Sequence, residues 1–319
     1  MSLEQFTDLP VPKEYEEAAV MLARILHELR TSQATVEDAA EATLRAYEII
    51  SRIENETQEE DQWQEEDLEE PGDFSEEEFQ ELIDKLQAAL DAGVKMTVYT
   101  STVGCIGLRP DCQPADEDTP HDPATLCNDY KLSKFQAEQV ATEFAGKGLP
   151  LVIVNPSTPI GPRDIKPTPT GRIILAFLNR KVPAFVDTGL NLIDVRDCAR
   201  GHILAEKKGK VGDRYILGNQ NLSLIEIYQL LEKITGLKAP TVKMPYWVAH
   251  LAGWVCEVVS DHITGKPPAV PLGGVKMAKY FMYFDSSKAI RELGLPQNSV
   301  EKALEDAVRW FRDNNMVRS

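Results

Sequence analysis

Met96-Thr-Val-Tyr-Thr100, Asp129-Tyr-Lys-Leu-Ser-Lys-Phe-Gln-Ala-Glu-Gln-Val-Ala-Thr-Glu-Phe-Ala145 and Leu149-Pro-Leu-Val-Ile-Val154 decide the fold. The first and last are short apolar runs of the kind that form buried strands. The middle stretch has helical texture and meets Gly146 at its end. Strand, helix and strand in that order predict a parallel α/β architecture. Downstream, helices are expected over 173–178, 199–207, 223–235, 247–259 and 299–312. The last has Ser299 as its cap and places Val300, Ala303, Ala307 and Phe311 on one face. Upstream, Ser75 and Glu78 have capping-box spacing and open a helix from Phe79 to about Ala92, which Gly93 ends. No internal repeat is present.

Further upstream the texture changes. Leu22, Ile25, Leu26 and Leu29 form one apolar helical stripe. Thr35 and Asp38 begin a second helix, with Ala39, Thr43, Ala46, Ile50 and Ile53 at helical spacing. Glu54 to Asp73 is dense in Glu, Asp and Gln and reads as a solvated linker. The chain therefore divides into an acidic helical segment with its linker, 1–74, and an α/β part with a C-terminal substrate region, 75–319. The whole chain carries 51 acidic and 34 basic side chains, of which residues 1–90 hold 26 and 6. The remaining 229 residues thus carry 25 and 28, so the formal charge of −17 belongs to the N-terminal segment. Such a segment repels phosphate backbones, which excludes nucleic acid as its partner and favours a basic protein.

A length of 319 residues with 43% hydrophobic and 27% charged residues is ordinary globular composition. The uncharged apolar-rich run Met244 to Cys256 spans 13 residues, short of the roughly 20 that a membrane-crossing helix needs. No basic segment followed by an apolar core opens the chain, so no secretory signal is expected. Five cysteines without a C-x-x-C argue against a disulfide framework or a cysteine zinc cluster. A reducing, cytoplasmic setting is expected.

The chemistry-bearing motif is Tyr130-Lys131-Leu132-Ser133-Lys134. Tyr and Lys four residues apart on a helix share a face. A nearby ammonium favours the phenolate and lowers the Tyr pKa. A Tyr tuned in this way can exchange a proton with a substrate hydroxyl. Thr100-Ser101-Thr102 ends the preceding strand, where ligand-facing residues of parallel sheets gather, and a hydroxyl there would hold a substrate oxygen. The alternative is that these hydroxyls only terminate the strand through local backbone bonds. His27, His121, His202, His250 and His262 have no paired metal spacing, so no metal site is expected. Asp194 and Asp197 resemble an acid pair, but Asp197 stands directly before the helix expected at 199–207 and reads as its cap. Trp247 and Trp254 read as core.

Together, Val98-Tyr-Thr-Ser-Thr102, the Tyr130/Lys134 pair and Asn155-Pro-Ser-Thr-Pro-Ile-Gly-Pro162 resemble an extended short-chain dehydrogenase/reductase of the NAD-dependent epimerase/dehydratase family. The stretches 163–172, 186–195 and Phe284-Asp-Ser-Ser-Lys288 are similar to the hopanoid-associated sugar epimerases and dihydroflavonol reductases of that family. The resemblance runs from about Leu86 to about Phe311. It implies a Rossmann-type sheet binding NAD or NADP at its C-terminal edge. It also implies an oxidoreductase or isomerase acting on a hydroxyl or keto carbon of a sugar or nucleotide-sugar. By that resemblance Tyr130 is the general acid/base, and Lys134 binds the nicotinamide ribose and tunes Tyr130. Thr102 is the catalytic hydroxyl with Ser101 beside it, and Pro156, Ser157 and Thr158 line the nicotinamide.

The chain departs from that pattern at its start. Such enzymes open with a strand and G-x-x-G-x-x-G, whose glycines let the backbone approach a pyrophosphate. Residues 1–90 contain one glycine, Gly72, and no strand-like run. The sheet is therefore expected to be partial. Three accounts stay open: an N-terminal replacement that left an impaired enzyme, an interaction or scaffold protein built on an enzyme remnant, or a missing half supplied by another chain. A homodimer would cover exposed strand edges.

Overall fold

The computed structural model describes residues 76–109, 111–120, 129–246 and 278–317, with the side chains of Glu76, Asp129 and Tyr130 left aside. All of them belong to one compact unit, residues 70–319. The helices expected within residues 1–74 and over 247–259 lie outside the described residues.

The deciding strand–helix–strand unit is present. Helix α1 spans Glu76–Asp91 and is followed by β1, Thr97–Thr100. A single 3-10 turn, Val103–Cys105, precedes α2, Asp129–Gly146, and then β2, Leu151–Pro156. The sharp return from α2 into β2 uses Gly148 at φ +102°, a conformation L side chains rarely adopt. After β2 come β3, Thr158–Ile160, and α3, Pro169–Leu178. Then follow β4, Ala184–Val186, β5, Gly189–Asp194, and α4, Val195–Lys208. Next are β6, Arg214–Leu217, β7, Gln220–Ser223, and α5, Leu224–Thr235. The described chain ends with β8, Val242–Met244, β9, Phe281–Met282, α6, Ser287–Leu293, and α7, Val300–Asp313.

Strands β1, β2 and β6 form a parallel sheet in that order, with Val98 opposite Val152 and Asn155 opposite Ile216. Period-two alternation distributes β2 between two layers. Leu151 and Ile153 pack with Leu86, Ala141 and Phe144 from α1 and α2. Val152 and Val154 pack with Cys198 and Ala205 of α4 and with Ala289 and Leu293 of α6. Because both faces are covered, β2 reads as a continuous apolar run. This is a Rossmann-like helix–sheet–helix arrangement, as the sequence predicts.

A second sheet has β5 at its centre, parallel to β3 and β9 and antiparallel to β7. Strands β4 and β8 pair separately. An apolar cluster of α3, α5 and α7 residues covers this region, including Ile174, Phe177, Leu231, Leu304 and Phe311. Ser223 caps α5 in a full capping box with Glu226, and Ser299 caps α7 as expected.

One cap differs from expectation. Helix α4 begins at Val195, and Asp194 rather than Asp197 caps it, accepting from the Arg196 amide at 2.8 Å. Asp197 lies in the first turn, fully buried, and accepts from the Asn298 amide (2.8 Å) and side chain (2.6 Å). Both residues are good cap types three positions apart, and the chain uses the earlier one to free the later for a long-range clip.

Candidate functional site

The residues singled out from sequence gather at the C-terminal ends of β1 and β2. Parallel pairing sets those ends side by side, because Thr100 is opposite Val154. Ser101 and Thr102 follow β1 directly, Pro156 closes β2, and Ser157 and Thr158 lead into β3. Tyr130 is the second residue of α2 and Lys134 lies one turn further on. Lys134 is half-buried. The side chain of Tyr130 is outside the described residues.

The two hydroxyls after β1 have different surroundings. Thr102 is half-buried, and its Oγ1 accepts from the Gly104 amide at 3.1 Å, capping the 3-10 turn. A hydroxyl that accepts one bond can still donate its own proton. Ser101 is buried, and its Oγ donates to Glu138 Oε2 and lies 3.4 Å from Cys105 Sγ. Ser101 is thus engaged inward, while Thr102 keeps a donor.

Beneath this turn is a polar network. Asn155 is fully buried in β2, and its Nδ2 donates to the Thr102 carbonyl at 2.9 Å and to Glu138 Oε2 at 2.8 Å. Arg214, at the start of β6, pairs with Glu138 Oε1 at 3.2 Å. The negative field is felt nearby. Burial, then the charge of Glu138, pushes the Cys105 thiol up to about 12. Burial first, then charge on Cys105 and Glu138, raises the Tyr99 phenol well above its ordinary value.

Two buried polar atoms at the strand tips lack a hydrogen-bond partner among the described residues: Asn155 Oδ1 and Ser157 Oγ. Buried polar atoms are ordinarily paired. Both atoms lie at the C-terminal edge of the parallel sheet, the edge at which such folds bind ligands. Sequence reading quotes Asn155 within a motif and gives it no role, and it passes over Glu138 and Arg214. Glu138 carries one available signal, its position four residues after Lys134, but in Gln-Ala-Glu-Gln it looks like a surface charge.

Residues 61–218 match the model of the NAD dependent epimerase/dehydratase family. A protein of Synechocystis provisionally named a dihydroflavonol 4-reductase is 53% identical over 238 residues, which cover 73% of this chain and 69% of that one. The chain belongs to the NAD-dependent epimerase/dehydratase family. Sterol demethylase protein B of Methylococcus capsulatus is 31% identical over 235 residues, 73% of this chain and 71% of that one. A solved nucleoside-diphosphate-sugar epimerase from Pseudomonas aeruginosa superposes with a TM-score of 0.61 at 28% identity, covering 76% of each chain. The family match starts at residue 61, earlier than the resemblance from about Leu86 suggests.

At the strand tips Ser157 Oγ and Asn155 Oδ1 are buried polar atoms unpaired among the described residues, and polar groups of the cofactor this family uses would satisfy them. The chain holds no G-x-x-G-x-x-G, and between α1 and β1 the sole glycine is Gly93. Among the described residues no three His, Cys, Asp or Glu side chains group as a metal site, and no helix is long and apolar enough to cross a membrane.

Proposed function

We propose that the chain carries the catalytic half of an NAD(P)-dependent epimerase or reductase acting on a hydroxyl or keto carbon of a sugar or related small molecule. Tyr130 exchanges a proton with the substrate oxygen. Lys134 keeps the Tyr130 phenolate accessible near neutral pH by its charge. Thr102 donates a hydrogen bond to the same substrate oxygen, so that its developing charge is held as the proton leaves. Pro156, Ser157 and Thr158 line the nicotinamide. Bound there, NAD(P)+ would accept hydride from a hydroxyl carbon as Tyr130 takes the hydroxyl proton, and NAD(P)H would donate hydride to a keto carbon as Tyr130 returns a proton to its oxygen.

The observation that supports this reading is the strand-tip arrangement. The Thr102 turn is tied to β2 by Asn155, the helix whose first turns carry Tyr130 and Lys134 packs against that turn, and Ser157 directly after β2 has a hydroxyl unpaired among the described residues. The nucleoside-diphosphate-sugar epimerase similarity supports a nucleotide-sugar as the substrate class. The Synechocystis relative supports the reductase branch.

A second reading has its own observation. Without a glycine-rich turn, and with 26 acidic residues among the first 90, the N-terminal part repels a diphosphate rather than cradling it. The chain would then be a non-catalytic interaction protein on an enzyme scaffold, its acidic segment taking a basic protein partner. Calorimetric titration of the full chain with NAD+, NADH, NADP+ and NADPH separates the two. Micromolar binding of one of them supports the enzyme, and Tyr130→Phe should then lower kcat by about 10²–10⁴-fold. No binding up to millimolar concentration overturns the enzymatic reading and leaves the scaffold.

A further inference from the structure

Glu138 is 1% exposed, on the helix that contributes Ala141 and Phe144 to the apolar layer over Leu151 and Ile153. Its carboxylate is reached by one side chain from each strand of the parallel sheet or its immediate continuation. Ser101 Oγ follows β1, Asn155 Nδ2 belongs to β2 at 2.8 Å, and Arg214 Nη1 belongs to β6 at 3.2 Å. The second proton of the Asn155 amide goes to the Thr102 carbonyl at 2.9 Å. Burying a carboxylate is costly even when it is paired, and a well-packed apolar residue commonly serves packing equally well. The contacts of Glu138 do more than fill space, because they run without a break to the backbone of Thr102.

We propose that Glu138 is a positioning residue for the strand-tip site. It fixes the Asn155 amide, Asn155 fixes the Thr102 carbonyl, and the Thr102 hydroxyl is thereby held in register with the first turn of α2. Glu138 stands on that same helix, four residues after Lys134 and eight after Tyr130. One rigid element therefore carries the proton-exchanging residues and also sets the height of the hydroxyl facing them. Arg214, whose side chain is 37% exposed, balances the buried charge from the sheet side. The inference rests on the reading of Tyr130, Lys134 and Thr102 given above.

The test uses the full chain and the variants Glu138→Ala, Glu138→Gln and Asn155→Ala. Amide exchange is followed at Gly104, Cys105 and Ile106, all bonded within the Thr102 turn, against the sheet amides of Val152 and Val154. In Glu138→Ala the ratio of turn exchange to sheet exchange should rise about tenfold or more. Glu138→Gln keeps an acceptor for Asn155 and should bring the ratio back to within about threefold of the parent chain. If Glu138→Ala fails to fold, Asn155→Ala cuts the same chain of contacts one link nearer Thr102 and must loosen the turn selectively. An unchanged ratio in the folded variants, or uniform loosening of turn and sheet, overturns the proposal. In turnover, Glu138→Ala should lower kcat about 10- to 100-fold with KM within about threefold, partly rescued by Gln. If the parent chain turns over nothing, the enzymatic reading falls, while the exchange ratio still decides the positioning role.

Discussion

The layer between α2 and strands β1, β2 and β6 is tied together by a buried carboxylate, whereas the layer under α7 is packed with hydrocarbon. In the first, Glu138 gathers Ser101, Asn155 and Arg214, and two buried polar atoms at the strand tips are unpaired among the described residues. In the second, Phe311, Leu304, Ile174, Phe177 and Leu231 meet in one cluster, and the helix ends are capped by Ser299, Ser223 and Thr168. Apolar packing gives stability in proportion to the area buried. A polar network costs more and fixes relative positions. The contrast teaches where this fold keeps its stability and where it keeps its geometry.

The sharpest way to break that contrast is Phe311→Ala. Phe311 is 1% exposed at the centre of the apolar layer. Its truncation leaves a cavity, and the expected loss is about 3–5 kcal/mol in urea unfolding. The exchange ratio at the Thr102 turn should stay that of the parent chain. A loss under about 1 kcal/mol would mean that this layer collapses around the gap and is not close-packed.

Next in size is Asp197→Ala. The fully buried carboxylate clips the loop before α7 through the Asn298 amide and side chain. Removing it strands two donors, at an expected cost of about 2–3 kcal/mol. Asp194→Ala removes the α4 cap and the Arg196 ion pair, but the half-exposed guanidinium keeps Asp306 and water, so the expected cost is smaller, about 1–2 kcal/mol. A larger loss for Asp194 than for Asp197 would mean that the cap and ion pair outweigh the Asn298 clip.

That pair shows what the sequence conveys and what it withholds. Strands β1 and β2 and helices α2, α5 and α7 were legible because apolar period and end signals agreed, as at Ser299 before Val300. The strands β3, β4, β8 and β9, of two or three residues each, were not. Runs that short have no period of their own and exist because partners are offered, by β5 to β3 and β9 and by β4 and β8 to each other. At the candidate site Tyr130 and Lys134 stand out by their spacing on one helix, and Thr102 by its place at a strand end and the family resemblance. Glu138 does not. Its burial depends on Arg214, 76 positions later in the chain, and no local pattern reports that pairing. Asn155 sat inside a quoted motif, and its bond to the Thr102 carbonyl spans 53 positions.

Ser157→Ala is expected to act in opposite directions on stability and on binding. The hydroxyl is buried without a partner among the described residues. Exchanging it for a methyl should leave stability unchanged or raise it by up to about 1 kcal/mol. If Ser157 lines the nicotinamide as proposed, the same variant should weaken cofactor binding about fivefold, the worth of one neutral hydrogen bond. Thermal melts with and without cofactor measure both effects. A destabilised Ser157→Ala chain with unchanged cofactor response would place a structural bond at Ser157 and remove it from the proposed site.

The smallest effect tests the well-satisfied side of the comparison. Glu226 accepts from the Ser223 amide at 2.7 Å and from the Ser223 hydroxyl at 2.5 Å, completing the capping box of α5. The hydroxyl bond, then the amide bond, holds the Glu226 carboxyl below its ordinary value. A carboxyl depressed in the folded state stabilises fully above its unfolded pKa, about 4.3, and that contribution is lost as pH falls through the lower folded value. Glu226→Ala should therefore be less stable than the parent chain near pH 7 by about 0.5–1 kcal/mol, as for other lost caps. The gap should narrow steadily below about pH 4 as the parent carboxyl is protonated. A gap that stayed constant down to low pH would assign the benefit to the side chain's packing. One that widened would mean that the protonated carboxyl holds Ser223 better than the carboxylate does. The comparison survives only if this residue, unlike Glu138, can be removed at small cost and without any change in exchange at the Thr102 turn.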